Sequence, residues 1–176
     1  YENGVDDYYD DLNTRFRHGE FTNRDSIQFA DSLKYYTTGK RLVYGGGGIM
    51  PDIFIPLDTT ENSKYLTDVY RKGLFNKFTL KYVDQHRAEI NKNYPDFKTF
   101  KANFVVSDAI VEEFVAAGEA DEIKRDEEGL KTSGAFIRRQ LKALIANQVW
   151  GTSEYYQTIN DHNPVSYTHL TLPTNR

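Results

Sequence analysis

The chain has 176 residues, a formal net charge of −4 and no cysteine. This length allows one domain with a real core, or one domain and part of another. A negative net charge argues against a general nucleic-acid binder, which needs a basic face. The lack of cysteine excludes disulfides and thiolate metal sites, and no apolar run approaches the ~20 residues of a membrane helix.

The first residue, Tyr1, is not a start methionine. We therefore expect it to lie in the interior of a longer protein, and a missing signal peptide then says nothing about the compartment.

Residues 1–31 are polar and acidic with poor periodicity, which predicts a surface excursion with one short helical turn and one short strand. Asp6, Asp7, Asp10 and Asp11 lie close together in this stretch, and several carboxylates suit calcium. The spacing lacks the glycine at the sixth position and the glutamate at the twelfth of a calcium loop. A solvated acidic loop is therefore the favoured interpretation.

Residues 32–57 have the composition of strands. Aromatic and β-branched residues flank Thr38-Gly39-Lys40, which predicts a β-hairpin turn. Further on, alternation places Ile53, Ile55 and Leu57 on one face of a strand and Phe54 on the other. Pro56 ends that strand, because proline cannot donate to a central ladder.

From residue 62 the apolar period becomes helical. Asn62 or Ser63 is a suitable N-cap, Gly73 weakens the helix locally, and Pro95 follows its end. The stripe of this helix consists of Leu66, Val69, Tyr70, Leu74, Phe78 and Tyr82.

Four further helical segments are predicted after Pro95. Phe97, Phe100 and Phe104 mark a short one, and Ser107 caps a second over residues 108–117. Residues 118–134 are charged and predict a solvated connector. The clearest stripe follows and ends at Trp150 and Gly151, with a short last helix over 152–160; it comprises Phe136, Ile137, Leu141, Leu144, Ile145 and Val149.

The last residues form a separate case. PVSYTHLTLPTNR, residues 164–176, continues none of the preceding periodicity, and VSYTHLTLPT resembles the translation of a transposon-end sequencing adapter. We interpret 164–176 as a non-native tail that is disordered and unpacked, with Leu170 and Leu172 exposed. The resulting organisation is a β-containing segment over 1–60, a helical extension over 61–163, and this tail.

The four glycines at 45–48 raise the question of a phosphate loop. Such a loop needs a following helix whose N-terminus meets the anion, often with Gly-Lys-Ser/Thr. Here Ile-Met-Pro-Asp and another strand follow, so nucleotide binding is disfavoured. We interpret the glycines as a bulge or a tight passage between strands.

Other catalytic patterns are absent from the sequence. TTGK (37–40) and KTSG (131–134) contain fragments of lysine-dependent serine sites, but neither is Ser-x-x-Lys and neither is expected to be buried. The four histidines, His18, His86, His162 and His169, have no ligand spacing. The pairs Glu112–Glu113 and Glu127–Glu128 point to different sides of a helix and are interpreted as surface charges.

One resemblance goes further. The stretch KYYTTGKRLVYGGGGIMPDIFIPLDTT resembles the end of the peptidase core in bacterial carboxyl-terminal-processing serine peptidases, also called tail-specific proteases. From Thr37 to Asp52 it has that group's Thr-x-Gly-Lys turn, Val-Tyr, four glycines and Ile-x-Pro-Asp. The flanking stretches YENG, LNTRFRHGEF, VYRKGL and ANQVWG are similar as well, so the resemblance covers about residues 1–163.

The resemblance implies an α+β fragment: a hairpin and strand that complete a crotonase-like α/β core, followed by a helical subdomain. It also implies a secreted or envelope-bound endopeptidase, periplasmic or membrane-associated, that acts on protein or peptide substrates near their C-terminal tails. In such enzymes a PDZ-like domain recognises the tail, and a neutral lysine activates a serine nucleophile for acyl transfer. No cofactor, metal or nucleic acid is implied, and a homo-oligomer is possible.

The chain departs from the family in one decisive respect. The serine and lysine motifs and the PDZ-like domain lie upstream of the hairpin in the family, and nothing here matches them. We therefore assign no catalytic, cofactor-binding or metal-binding residue, and we expect the chain alone to be inactive. The alternatives are a non-enzymatic helical adaptor with a β-hairpin, and a peptidase homologue that has lost its dyad.

Overall fold

The computed structural model describes residues 4–27, 32, 34–45 and 53–171, apart from the side chain of His169. The chain divides into two compact units, Tyr1–Asp58 and Thr59–Arg176. We call these the N-terminal unit and the C-terminal unit and describe each by itself.

The N-terminal unit begins with helix α1, Val5–Arg17, followed by a 3-10 turn at Arg24–Ser26. The expectation of a single helical turn here is wrong, because the helix has 13 residues. Its first turn carries Asp6 and Asp7 and its last turn carries Arg15 and Arg17. These charges complement the helix dipole at both ends, so the acidic composition supports a helix rather than a loop.

The predicted hairpin is confirmed. Strands β1, Lys34–Tyr36, and β2, Leu42–Tyr44, pair antiparallel with Tyr35 opposite Val43. Among the described residues of the N-terminal unit, none is buried. A two-stranded hairpin of this kind is marginally stable by itself.

The strand predicted over residues 53–57 is wrong for this chain. The segment has no regular secondary structure, and Ile53 and Leu57 are about half exposed. One backbone hydrogen bond holds it, from Leu57 N–H to the carbonyl of Phe21 at 2.9 Å. Alternation alone does not make a strand, because a strand also needs a partner for its backbone groups.

The C-terminal unit is helical. Its helices are α2, Lys64–Lys72; α3, Leu74–Asn93; α4, Phe97–Asn103; α5, Asp108–Ala120; α6, Glu127–Val149; α7, Thr152–Ile159; and α8, Pro164–Thr171. A 3-10 turn at Asn160–His162 joins α7 to α8.

Side-chain caps begin four of these helices. Ser63 accepts from Leu66 N–H and Ser107 accepts from Ile110 N–H, as the sequence predicts. Asp96 and Asp126 cap α4 and α6 in the same way. Each cap satisfies a backbone donor that the helix itself leaves free.

Gly73 has a larger effect than predicted. It adopts φ 66°, ends α2 and starts α3, so the single helix expected from residue 62 is two helices. Residues with a side chain rarely adopt this conformation, which explains a sharp break at this position. The predicted stripe is buried on both sides of the break, except that Tyr70 is 50% exposed.

The core of the C-terminal unit surrounds α6. This helix packs against α2, α3 and α7, and α3 also contacts α5. Ile137, Leu141 and Ile145 on α6 are fully buried, which confirms the predicted stripe. Aromatic rings fill the space around them: Phe114 lies 5.2 Å from Phe75, and Phe100 lies 4.9 Å from Trp150, between ring centroids.

The charged connector predicted over residues 118–134 is shorter in the structure. Helix α5 continues to Ala120 and α6 begins at Glu127, which leaves residues 121–126 as the α5–α6 connector. Gly129 and Ser133 are buried, although neighbouring side chains are charged. When the buried side of such a helix carries only small residues, its sequence contains no apolar stripe and is dominated by the charged residues of the exposed side.

The structure of the suspected non-native tail, residues 164–176, differs in part from the prediction. Pro164–Thr171 forms helix α8 instead of an irregular segment. Leu170 is 82% exposed and Tyr167 is 72% exposed. Leu172 lies outside the described residues.

The described part of the chain is therefore mostly helical with one small antiparallel sheet, an architecture compatible with an α+β fragment. Two strands do not make a crotonase-like core, so that part of the expectation stays a prediction.

Candidate functional site

The family-like motif from Thr37 to Asp52 begins at the hairpin turn. Thr37 closes this turn: its N–H donates to the carbonyl of Arg41 at 2.9 Å, and its carbonyl accepts from Lys40 N–H at 2.9 Å. The Thr37 hydroxyl also accepts from Arg41 N–H at 3.1 Å. Lys40 has φ 60° and provides the left-handed residue that a three-residue hairpin loop needs. These contacts are structural and leave no group placed for chemistry.

Gly45 shows why a glycine follows β2. A Cβ built there would lie 2.7 Å from Cε2 of the Tyr35 ring, closer than real contacts allow. The ring of Tyr35 crosses diagonally from the neighbouring strand onto the glycine backbone. This agrees with the interpretation of a close approach at Gly45, while Gly46–Asp52 lie outside the described residues.

The two lysine-containing fragments occupy different environments. Thr37, Thr38 and Lys40 are exposed, as expected. Ser133 of KTSG is fully buried on α6, so the expectation that this stretch is not buried is wrong for that residue. In the described structure, the hydroxyl of Ser133 bonds to Glu61 and Ser63 and not to a lysine. A buried serine without a base is a structural residue rather than a nucleophile.

The histidines are dispersed, as the sequence predicts. His18 and His162 are exposed, and His86 Nδ1 lies 3.5 Å from an oxygen of Glu89. In the part of the chain that the structure describes, no group of three or more metal-ligating side chains exists. Asp6, Asp7, Asp10 and Asp11 lie along α1.

One glutamate of each predicted pair takes part in a salt-bridge cluster. Arg125 donates to both oxygens of Glu112, at 2.6 and 3.0 Å, and to Glu127 at 2.5 Å. The hydrogen bond from Arg125 holds the pKa of Glu112 below its ordinary value. A general acid at neutral pH needs a raised pKa, so Glu112 is unsuited to that role.

A concave feature lies between α2 and the α5–α6 connector. We call it the α2 groove. Its volume is about 450 Å³, and it is lined by Lys64, Tyr65, Asp68, Arg71, Lys72, Glu122, Ile123, Lys124, Arg125 and Asp126. The α5–α6 connector places its side chains opposite α2 because α5 ends at Ala120 and α6 starts only at Glu127.

Tyr65 forms part of the groove wall. The residue is 2% exposed, and its hydroxyl has no hydrogen-bond partner among the described residues. Burial raises the pKa of Tyr65 to about 12, against a smaller opposing effect of Arg125. The sequence carries no signal for this site, since Tyr65 precedes the predicted apolar stripe and the other side of the groove belongs to the segment predicted to be a solvated connector.

Comparison with known proteins gives a family match over part of the chain. A family model described as a family of unknown function, DUF8443, matches residues 65–151. No curated protein and no solved structure matches the chain. The matched range runs from the first turn of α2 to the second residue after α6, so the similarity concerns the helical core and the α2 groove.

Proposed function

We propose that this chain is the C-terminal portion of a serine-type endopeptidase of the carboxyl-terminal-processing kind. The observation that carries the proposal is the motif from Thr37 to Asp52, which combines a hairpin turn, four glycines and Ile-x-Pro-Asp. The hairpin that the motif requires is present, with its turn at Thr38-Gly39-Lys40.

The exposed apolar residues of the N-terminal unit add support. Tyr35 and Val43 lie on one face of the hairpin and Tyr36 and Leu42 on the other, and all four are exposed. A hairpin with apolar residues on both faces suits a position inside a larger sheet structure. The peptidase core of the parent enzyme would provide that structure.

The chemistry belongs to the parent enzyme and not to this chain. A lysine would act as general base for a serine that attacks the peptide carbonyl, and backbone N–H groups would hold the oxyanion. Both residues would lie upstream of the hairpin. The contribution of residues 1–163 is structural, and the helices would shape access to the active site or mediate oligomerisation.

The proposed substrates are proteins or peptides cleaved near their C-terminal tails, and the proposed location is the bacterial cell envelope, periplasmic or membrane-associated. Both come from the resemblance. Within the described ranges, no helix combines the length and the apolar character that crossing a bilayer requires.

A non-enzymatic helical adaptor is the alternative. The observation that favours it is the separate core of the C-terminal unit, which matches a family of unknown function over residues 65–151. Such a core suits a module that folds and binds a partner without any peptidase.

Reading the coding sequence upstream of Tyr1 distinguishes the peptidase from the adaptor. The peptidase proposal expects a PDZ-like segment followed by a serine motif and a lysine motif. A start codon or signal peptide directly before the chain would support the adaptor and overturn the proposal. A PDZ-like segment without the two motifs would indicate a homologue that has lost its dyad.

A further inference from the structure

We propose that the apolar face of α1 is an interface with a second copy of this chain, in which the two α1 helices pack antiparallel. The spacing of the apolar side chains along α1 and the charges at its two ends support this pairing. The helix belongs to the N-terminal unit, in which no described residue is buried.

Four apolar side chains form a continuous stripe along α1: Val5, Tyr9, Leu12 and Phe16. Steps of four, three and four residues keep them on one face of the helix. Val5 is 68% exposed, Tyr9 and Phe16 are each 56% exposed, and Leu12 is partly buried. Phe16 has a neighbour in its own unit, the ring of Phe21 at 6.2 Å between centroids, and still leaves more than half of its surface open.

This apolar stripe favours another helix as the partner. Single exposed apolar residues are common on protein surfaces and need no explanation. A stripe that follows one helix from its first turn to its last is the pattern by which helices pack against each other.

The order of the steps is the same from both ends of the stripe, which suits an antiparallel pair with two-fold symmetry. Val5 of one copy then lies opposite Phe16 of the second copy, and Tyr9 lies opposite Leu12. Each contact joins a smaller and a larger side chain, so the two helices stay at an even distance along their length. A parallel pair would instead place the two Phe16 rings together at one end and the two Val5 side chains at the other.

The charges beside the stripe also match in the antiparallel orientation. Asp6 lies in the first turn of α1 and Arg17 in the last turn. Because they are three helical turns apart, both flank the same side of the stripe. Both are exposed, and neither makes an ion pair within the described part of the chain. The antiparallel pair brings Asp6 of each copy beside Arg17 of the other, so the contact occurs twice.

The parallel orientation brings like charges together. The acidic first turns, with Asp6 and Asp7, would meet at one end, and the last turns, with Arg15 and Arg17, would meet at the other. Such juxtaposition of like charges is unfavourable at an interface. The helix dipoles also favour the antiparallel orientation. Since α1 carries both charges in the matching positions, a second copy of α1 is the complementary partner.

The length of the interface indicates a weak pair. Helix α1 has 13 residues, which corresponds to about 20 Å. Two helices of this length bury less than the roughly 1,200 Å² that marks the lower limit of stable protein–protein interfaces. We therefore expect a reversible dimer whose population depends on protein concentration.

Sedimentation velocity of the intact 176-residue chain tests the pairing. We expect the mean mass to rise from monomer towards dimer as the concentration increases. Tyr9→Ala should weaken the dimer about tenfold, as expected for an aromatic side chain in the middle of an interface. Tyr9 is exposed, so this substitution removes no core contact. A monomer at all concentrations, or an association that Tyr9→Ala leaves unchanged, would overturn the proposal.

A charge exchange tests the orientation. Asp6→Arg and Arg17→Asp should each weaken self-association about tenfold, because both symmetry-related ion pairs become like-charge pairs. A mixture of the two variants should associate like the wild type, since every contact then joins opposite charges. Asp10→Arg makes the same charge change as Asp6→Arg on the far side of α1 and should have no effect. Single variants that pair as well as the wild type, or a mixture that associates no better than either variant alone, would contradict the antiparallel pair.

Discussion

The hydroxyl of Ser133 lies 2.8 Å from the hydroxyl of Ser63, and it also bonds to the carbonyl of Glu61 at 2.6 Å. Ser63 in turn accepts from the first turn of α2 through Leu66 N–H. If Ser63 donates to Ser133 and Ser133 donates to Glu61, every one of these groups is satisfied. The link fastens the beginning of α2 to the second turn of α6.

Removal of this link should destabilise the C-terminal unit. We expect Ser133→Ala to lower the free energy of unfolding by about 1–3 kcal/mol, because it leaves buried polar groups unpaired. Urea unfolding followed by the fluorescence of Trp150, the single tryptophan, measures this change. Thr132→Ala is the matched control, since Thr132 is exposed on the same helix. Equal stability of the Ser133→Ala variant and the wild type would show that the link is not formed.

Two glycine substitutions should have opposite effects. Gly73 has φ 66°, so Gly73→Ala should destabilise the chain by about 1 kcal/mol. Gly134 lies inside α6 with open space around its Cα, so Gly134→Ala should stabilise it by about 0.5–1 kcal/mol. The same fluorescence-detected unfolding measures both. A change of equal sign in the two variants would contradict the helix break at Gly73.

Stability should fall at alkaline pH because of Tyr65. Burial raises the pKa of Tyr65 to about 12 in the folded state, above its ordinary value of 10.0. Between these values the unfolded chain has lost a proton that the folded chain keeps, so the free energy of unfolding falls as pH rises. The loss is at most about 1.4 kcal/mol for each pH unit.

Replacement of Tyr65 by phenylalanine tests whether its ionisation causes the loss of stability at alkaline pH. Tyr65→Phe should make the decline of stability between pH 10 and 12 shallower, whereas Tyr156→Phe at an exposed tyrosine should not. Urea midpoints at several alkaline pH values give the comparison. An unchanged slope in the Tyr65→Phe variant would exclude Tyr65 as the source.

The hairpin turn offers a stabilising substitution. Lys40 occupies a left-handed conformation, with φ 60°, that glycine adopts without cost. Lys40→Gly should favour the hairpin by about 1 kcal/mol, seen as stronger cross-strand NOEs between Tyr35 and Val43. Gly39→Ala is the control and should change little, since its Cβ would meet only Thr37 Oγ1 at 3.9 Å. Weaker NOEs in the Lys40→Gly variant would contradict the turn geometry.

The helical part of the fold follows well from the sequence. Apolar spacing and caps identify the helical character of the stretches that form α2 to α6, because a buried stripe and a capping side chain are both local signals. The sequence does not reveal that α2 ends at Gly73 or that α6 starts at Glu127. Both depend on tertiary context: a left-handed glycine between two packed helices, and a charged helix that buries only Gly129 and Ser133 in its first turns.

The N-terminal unit and the groove were harder to predict. The period-two pattern of residues 53–57 indicates a strand, but pairing depends on a partner that no local pattern reveals. The α2 groove brings Tyr65 together with Lys124, far away in sequence. Such a site depends on how α2 meets the α5–α6 connector, and neither segment carries a motif for it.

The most direct test of the central claim is the rate of hydrolysis of an unstructured protein substrate. The protein to measure is the full-length product of the extended reading frame, alongside the 176-residue chain and a full-length variant with the upstream motif serine changed to alanine. We expect hydrolysis by the full-length protein alone. Hydrolysis by the 176-residue chain, or undiminished hydrolysis by the serine variant, would contradict the account.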